Sequence, residues 1–169
     1  MDRQGAYLAE RPGEVHTIYS LMGFGAFIEG WALYSEQLAD EAGIYKDDPM
    51  GRLGYWQALR FRAARLVVDT GLHDKRWTRE KAIETLVAAT GRSTAAATSE
   101  IDRYCASPGQ ACAYKTGHNE IVRLRARAQT ALGPRFDLRD FDDAVVTTGG
   151  APLSVLEGVI DRYVAAVKT

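Results

Sequence analysis

The stretch LMGFGAFIEGWAL, residues 21–33, decides the fold of this chain. Every position in it is apolar or glycine except for one carboxylate, Glu29. If the stretch is helical, no face of the helix is polar enough to meet water, which predicts a buried central helix. A carboxylate inside such a helix is costly unless it is paired, protonated or bound to a metal. Glu29 is therefore the first candidate functional residue.

Helix signals continue on both sides of this stretch, whereas alternating strand patterns are almost absent. The central helix is predicted over residues 14–42 and ends before Gly43. The sequence predicts an all-α protein, with a single helical domain of about seven helices over residues 14–169 and a loose N-terminal arm over residues 1–13. Further helix starts are predicted near Asp48, Thr78, Ser93, Gln110, Asp137 and Pro152. The predicted buried positions around Glu29 are Phe24, Phe27, Ile28, Trp31 and Leu33.

Composition excludes several classes of protein. The 169 residues carry a net charge of −1 and 46% hydrophobic residues, which fits one folded domain and disfavours nucleic acid and membrane surfaces as partners. No apolar run is long enough to cross a membrane, and the first residues lack the apolar core of a signal peptide. Cys105 and Cys112 match no zinc or redox spacing and are expected to be free thiols. We therefore expect a cytoplasmic protein.

Several motifs, in order, resemble one bacterial family. The likeness runs from FIEGWALY (27–34) through RAARLVVDTGLH (62–73), WTREKAI (77–83), the SPGQ turn (107–110) and RFDLRDF (135–141) to APLSVLE (151–157). The chain resembles the family known as domain of unknown function 885, whose members look like zinc metallopeptidases of the gluzincin type. In such enzymes two histidines on one helix and a glutamate on a later helix hold zinc. The resemblance implies that Glu29 is that third ligand.

The zinc-binding histidine motif is not found in this chain. The three histidines are His16, His73 and His118; none is followed by Glu, and no two lie four residues apart. Residues 10–16 resemble the family's Pro-Gly-His region only weakly. Family members are also several times longer than this chain. The chain therefore resembles the C-terminal portion of the family fold. No metal or cofactor is expected, and zinc binding is expected only with a partner chain.

One helical stripe offers a second set of candidates. Arg65, Asp69 and His73 are spaced i, i+4, i+8, so they share one face of a helix. Asp69 can orient His73, which makes His73 a candidate catalytic residue. In the alternative interpretation, Arg65 and Asp69 form an ion pair and His73 caps the end of the helix. Glu29 likewise has a structural alternative, as a core carboxylate paired with Arg62 or Arg65.

A third set lies on the long helix that begins near Gln110. Tyr114 and His118 are spaced i, i+4, with Lys115 beside them. In the resembling family the Tyr-Lys pair falls near the active-site cleft, where a tyrosine can donate to an oxyanion. Tyr114 is thus a candidate catalytic residue and Lys115 and His118 are pocket candidates; the alternative is an aromatic core residue with a hydrated hydroxyl. Tyr34 is interpreted as a packing or supporting residue.

Three functions follow from these patterns. The first is a truncated or degenerate metallopeptidase relative, without zinc hydrolase activity of its own, that keeps a pocket around Glu29 for a small molecule or peptide. The second is an interaction module or split-enzyme subunit that completes an active site with another chain. The third is a carboxylate-rich metal site that joins Glu29 to Glu10, Glu14 or His16. Apolar surface near Phe24 predicts a homodimer or a complementary subunit, with residues 1–22 near the interface.

Overall fold

The protein is all-α. A computed structural model describes residues 23–169, and this part contains no strand. It confirms the predicted fold class and helix number, whereas the predicted arm over residues 1–13 and the first part of the predicted central helix lie outside the described residues. The described elements are α1 (Gly25–Glu41), α2 (Pro49–His73), α3 (Arg79–Thr90), α4 (Thr94–Ala106), α5 (Gln110–Leu132), a 3-10 turn (Gly133–Arg135), α6 (Leu138–Thr148) and α7 (Leu153–Lys168).

Local sequence signals place most of the helix starts. Four predicted N-cap side chains each accept a hydrogen bond from a backbone amide two or three residues further on: Asp48, Thr78, Ser93 and Asp137. Such a bond satisfies an amide that would otherwise lack an intrahelical partner. The main difference is in α2, which continues past Thr70 and through Gly71 to His73. A Cβ at Gly71 would lie only 2.6 Å from Cδ2 of Trp77, so glycine lets the indole ring pack against this helix.

Two apolar clusters form the core, and α5 lies between them. Helix α5 packs against α1, α2 and α7. One cluster joins α2, α3 and α4 through residues that include Phe61, Val68, Leu86 and Ile101. The other joins α1, α5, α6 and α7 through residues that include Phe27, Tyr34, Ile121, Phe141 and Leu156. Among the described residues, α5 therefore occupies the central position that the sequence analysis assigned to α1.

The prediction that α1 is buried on all sides is wrong. Phe27 and Leu33 are buried as predicted, but Phe24 and Trp31 are only half-buried, and Ile28 is 38% exposed. Helix α1 packs onto the described core through one face, and Ile28 lies outside that face. The helix also begins at Gly25, because residues 23–24 are not helical.

Glycine allows α1 and α5 to touch backbone to backbone. On α1, Gly25 lies opposite Ala113 of α5, and Gly30 lies opposite Gly117. Because the residue numbers rise together along both helices, the two helices run in the same direction. A Cβ on Gly30 would lie 2.5 Å from backbone carbons of Gly117, and one on Gly117 would overlap the carbonyl of Ala26. This contact fixes the position of Glu29, which lies next to Gly30 on α1. Among residues 23–169, no helix combines the length and apolar character needed to cross a membrane.

Candidate functional site

An open cleft lies between the first turns of α1 and α5. Its volume is about 440 Å³, and Glu29 contributes the one carboxyl side chain among the described lining residues. Glu29 is half-buried there, so its carboxylate lies at the boundary between protein and solvent. The cleft is lined by Gly25, Ala26, Glu29, Gly109, Gln110, Cys112, Ala113 and Thr116. Glu29 thus lines an open cleft, while a ligand pocket around it and a catalytic role for it stay predictions.

Tyr114 links Glu29 to two arginines. Burial, followed by interaction with the Glu29 carboxylate, raises the pKa of Tyr114, so its hydroxyl stays protonated at neutral pH. The guanidinium carbons of Arg62 and Arg65 lie 4.7 Å and 5.0 Å from the centre of the Tyr114 ring. Both distances are within the range of cation–π attraction. Tyr114 is therefore a hydroxyl donor held beside a carboxylate, and its predicted catalytic role stays untested.

The three residues of the predicted stripe, Arg65, Asp69 and His73, contact different partners, and a catalytic role for His73 stays a prediction. Arg65 and Asp69 are both buried, and no ion pair joins them. Asp69 instead accepts hydrogen bonds from the Gly109 amide at 3.1 Å and 3.3 Å. Because Gly109 has no side chain with which to cap α5, this carboxylate supplies negative charge at the helix N-terminus from across the fold.

His73 lies apart from the cleft. It is the last residue of α2, it is exposed, and its Nε2 lies 3.2 Å from the carbonyl oxygen of Tyr104. It is not among the described residues that line the Glu29 cleft. Asp69 is engaged by Gly109 and does not orient it. The placement fits the alternative interpretation of His73 as a residue at the end of a helix.

His118 belongs to a second polar group on the α1–α5 contact. Its Nε2 lies 2.8 Å from Oε1 of Gln37, and its Nδ1 lies 3.1 Å from Nζ of Lys115. Burial and the nearby Lys115 charge lower the pKa of His118, so the neutral ring donates from Nε2 and accepts at Nδ1. Burial also lowers the pKa of Lys115. The structure thus joins two predicted pocket residues, but on a site separate from Tyr114.

The same polar group extends to residues that the sequence analysis missed. Gln37 donates to Glu41 at 2.7 Å, and Glu41 pairs with Arg125 at 2.8 Å. Tyr34 is fully buried and donates to Asp142 at 3.1 Å. The i, i+4 spacing of Gln37 and Glu41 was a usable signal, but their partners on α5, His118 and Arg125, are more than 80 residues away along the chain. These contacts join α1 to α5 and α6, which supports the interpretation of Tyr34 as a packing residue.

Cys112 is a protected thiol at the rim of the cleft. Burial, the charge of Asp69 and a hydrogen bond to Asp69 raise its pKa to about 11. The thiol is therefore protonated at neutral pH and is a poor nucleophile. Cys105 is exposed, and both cysteines are free.

The described residues do not fit a zinc ion. Within residues 23–169, no three His, Cys, Asp or Glu side chains come close enough together to hold a metal. Glu10, Glu14 and His16, the other members of the suggested carboxylate site, lie outside the described residues. To hold zinc, Glu29 would thus need further ligands from outside residues 23–169.

Comparison with protein families decides the relationship. The model of a family described as "Bacterial protein of unknown function (DUF885)" matches residues 3–160. This chain belongs to the DUF885 family. Two solved structures are similar to this DUF885 chain, and each comes from a protein described as a "putative lipoprotein". The one from Colwellia psychrerythraea is 51% identical over 84% of the chain, with a TM-score of 0.82. The one from Shewanella oneidensis is 28% identical over 94%, with a TM-score of 0.84.

The DUF885 chain is much shorter than these relatives. It spans 24% of the Colwellia protein and 28% of the Shewanella protein. A comparison with curated proteins found no significant match. The comparisons thus show the family and the fold, but not the activity, the metal content or the partners of this chain.

Proposed function

We propose that this DUF885 chain binds a small polar molecule or a peptide in the Glu29 cleft and has no zinc hydrolase activity of its own. The observation that carries the proposal is the open cleft that Glu29 lines. Tyr114 lies near enough to Glu29 for the carboxylate to help raise the pKa of its hydroxyl, which stays protonated. A truncated or degenerate relative of a metallopeptidase would retain such a cleft even though the described residues do not fit zinc.

The chemistry of these residues limits what the cleft binds. Glu29 accepts hydrogen bonds or balances a cationic group such as an amine, because an ionised carboxylate has no donor. Arg62 and Arg65 lie beside the Tyr114 ring and favour negative charge on the part of the ligand that binds there. A ligand that carries both an amine and a carboxylate, such as an amino acid or a dipeptide, matches both ends.

A thermal-shift screen tests this proposal. The probes are free amino acids, dipeptides and small carboxylic acids, each added to the wild-type chain and to two variants. Glu29→Gln keeps the shape of the side chain but removes its charge. Glu84→Gln makes the same change at an exposed position on α3 and serves as the matched control. We expect at least one amine-bearing probe to stabilise the wild type and Glu84→Gln but not Glu29→Gln; equal responses in all three proteins would contradict the proposal.

A second candidate function is a subunit that completes its site with another chain. The observation that favours it is the length of the relatives, because this chain covers only 24% and 28% of the two solved structures. The outer face of α2 also exposes apolar side chains, and Ile28 is exposed on α1. The exposed α2 residues are Met50, Leu53, Trp56 and Val67. Apolar surface of this kind often marks a protein interface.

Two measurements separate the candidates. Light scattering at micromolar concentration gives the oligomeric state, and a homodimer supports the subunit interpretation. Elemental analysis of the chain alone and with a histidine-bearing partner tests zinc, which we expect only in the complex. Stoichiometric zinc in the chain alone that is lost in Glu29→Gln would instead favour the carboxylate-rich metal site. The cytoplasmic location stays a prediction, and the description of both relatives as a "putative lipoprotein" favours attachment to a membrane instead.

A further inference from the structure

Guanidinium groups are concentrated on one side of the Glu29 cleft. The guanidinium carbons of Arg62, Arg65 and Arg92 lie 5.4, 5.6 and 3.8 Å from the centre of the Phe61 ring. Three points so close to one centre are at most about 11 Å apart, which is near the screening length of physiological salt. The three positive charges therefore act on each other and on any anion that approaches them.

Little negative charge balances this group. Among the described residues, one ion pair reaches it, between Arg103 and Glu100 at 2.6 Å. Arg103 joins the group through the Tyr104 ring, which lies 5.2 Å from its guanidinium carbon and 5.5 Å from that of Arg65. None of the other three arginines has an ion pair within residues 23–169. Among the described residues, the cluster thus carries an excess of positive charge, whereas the whole chain has a net charge of −1.

Gln110 occupies the position where a carboxylate would neutralise the cluster. Its Oε1 accepts from Nη2 of Arg65 and from Nη1 of Arg103, at 2.9 Å in both cases. An amide oxygen satisfies the two donors but leaves their charge in place. Gln110 also lines the Glu29 cleft. Arg65 is 4% exposed, and its Nε has no hydrogen-bond partner among the described residues, nor has the buried Nε of Arg62.

We propose that Arg62, Arg65, Arg92 and Arg103, here called the arginine cluster, form an oxyanion site at the edge of the Glu29 cleft. A guanidinium group offers two parallel donors that match the two oxygens of a carboxylate or a phosphate. The site binds the anionic group of a ligand, and Gln110 holds two of the arginines in place without competing for their charge. The inference deepens the proposed function, because it assigns a negatively charged group to the ligand. It rests on the proposed function only for the part of the ligand that binds in the Glu29 cleft.

Phosphate titration with one substitution tests the site. The probe is inorganic phosphate at constant ionic strength, with the binding constant measured by calorimetry and the unfolding midpoint by circular dichroism. Gln110→Glu places a carboxylate between Arg65 and Arg103. We expect it to raise the midpoint without phosphate and to weaken phosphate binding at least about tenfold, because an internal anion competes with the added one. Gln57→Glu adds the same charge at an exposed position on α2 and should bind phosphate as the wild type does.

Further arms separate the possible outcomes. Arg62→Gln removes one positive charge and should also weaken phosphate binding, which provides a test that does not depend on Gln110. Succinate in place of phosphate tells whether a carboxylate or a phosphate group binds more tightly, and either preference supports the site. Glu29→Gln should retain phosphate binding, so a failed cleft proposal and a failed oxyanion site give different results. The site is overturned if Gln110→Glu and Gln57→Glu bind phosphate equally well, or if phosphate acts on the wild type no more strongly than chloride.

Discussion

A single methyl group at Gly117 should separate α1 from α5 and disturb the Glu29 cleft. The added Cβ would overlap the carbonyl oxygen of Ala26 and lie 2.8 Å from Cα of Gly30. Both neighbours are backbone atoms, so no side chain can rotate away and the helices themselves must move. Overpacking of this kind costs about 1–3 kcal/mol. We take the upper half of that range because the contact is between backbones.

The gain in helix propensity offsets only part of this cost. Replacing glycine with alanine inside a helix stabilises it by about 1 kcal/mol. Gly117→Ala should therefore lower the free energy of unfolding by about 1–2 kcal/mol. For a chain of this size, that loss lowers the midpoint of thermal unfolding by about 2–8 °C. Urea unfolding followed by circular dichroism measures the change directly.

Gly54→Ala provides the matched control. Gly54 is an exposed position inside α2, and a Cβ there would meet no atom within 4 Å. The same substitution should thus stabilise the protein, by about 0.5–1 kcal/mol. Opposite signs for the two variants would support the backbone contact between α1 and α5. If Gly117→Ala is as stable as Gly54→Ala, the close approach of these helices is wrong, and with it the position of Glu29.

Three further outcomes follow from the burial of particular side chains. Because the pKa of His118 is lowered, the folded protein binds fewer protons than the unfolded chain, and stability should fall as the pH drops below about 6.5. Between pH 5 and pH 7, the free energy of unfolding should depend less on pH in His118→Gln than in the wild type, which urea unfolding at each pH can measure; the same pH dependence in both proteins would contradict the lowered pKa of His118. Iodoacetamide should modify Cys105 much faster than Cys112 at pH 7.5, as peptide mass mapping can show; equal rates would contradict the buried, protonated thiol. Trp31→Ala should cost about 2 kcal/mol in urea unfolding, below the 3–5 kcal/mol of a fully buried aromatic residue, because Trp31 is half-buried.

Local chemistry was readable from the sequence. The N-cap residues Asp48, Thr78, Ser93 and Asp137 mark helix starts because each cap needs only a side chain and an amide a few residues away. The absence of alternating patterns predicted an all-α fold. Motifs in order along the chain predicted the family, and the family model confirms it. An isolated carboxylate in an apolar stretch predicted Glu29 as the residue to examine, and it does line a cleft.

Contacts between distant residues were not readable in the same way. The apolar stretch around Ile28 predicted burial on all sides, but burial depends on which neighbours pack against each face, and α5 covers only one. The spacing of Arg65, Asp69 and His73 left two interpretations open, with Asp69 either orienting His73 or pairing with Arg65. In the structure, Arg65 instead donates to Gln110 and Asp69 accepts from the Gly109 amide, at the start of α5.

The sequence by itself determined the helices and the family and indicated Glu29 as a candidate residue, because these depend on residues close together in the chain or on motifs in a set order. Only the tertiary structure decided what Glu29 lies beside. Tyr114 reaches it across 85 positions of sequence because Gly30 and Gly117 let two helix backbones touch. Gln110 meets two arginines because α2, α4 and α5 converge at one turn. Such meetings are set by the packing of whole helices, which no short segment of sequence encodes.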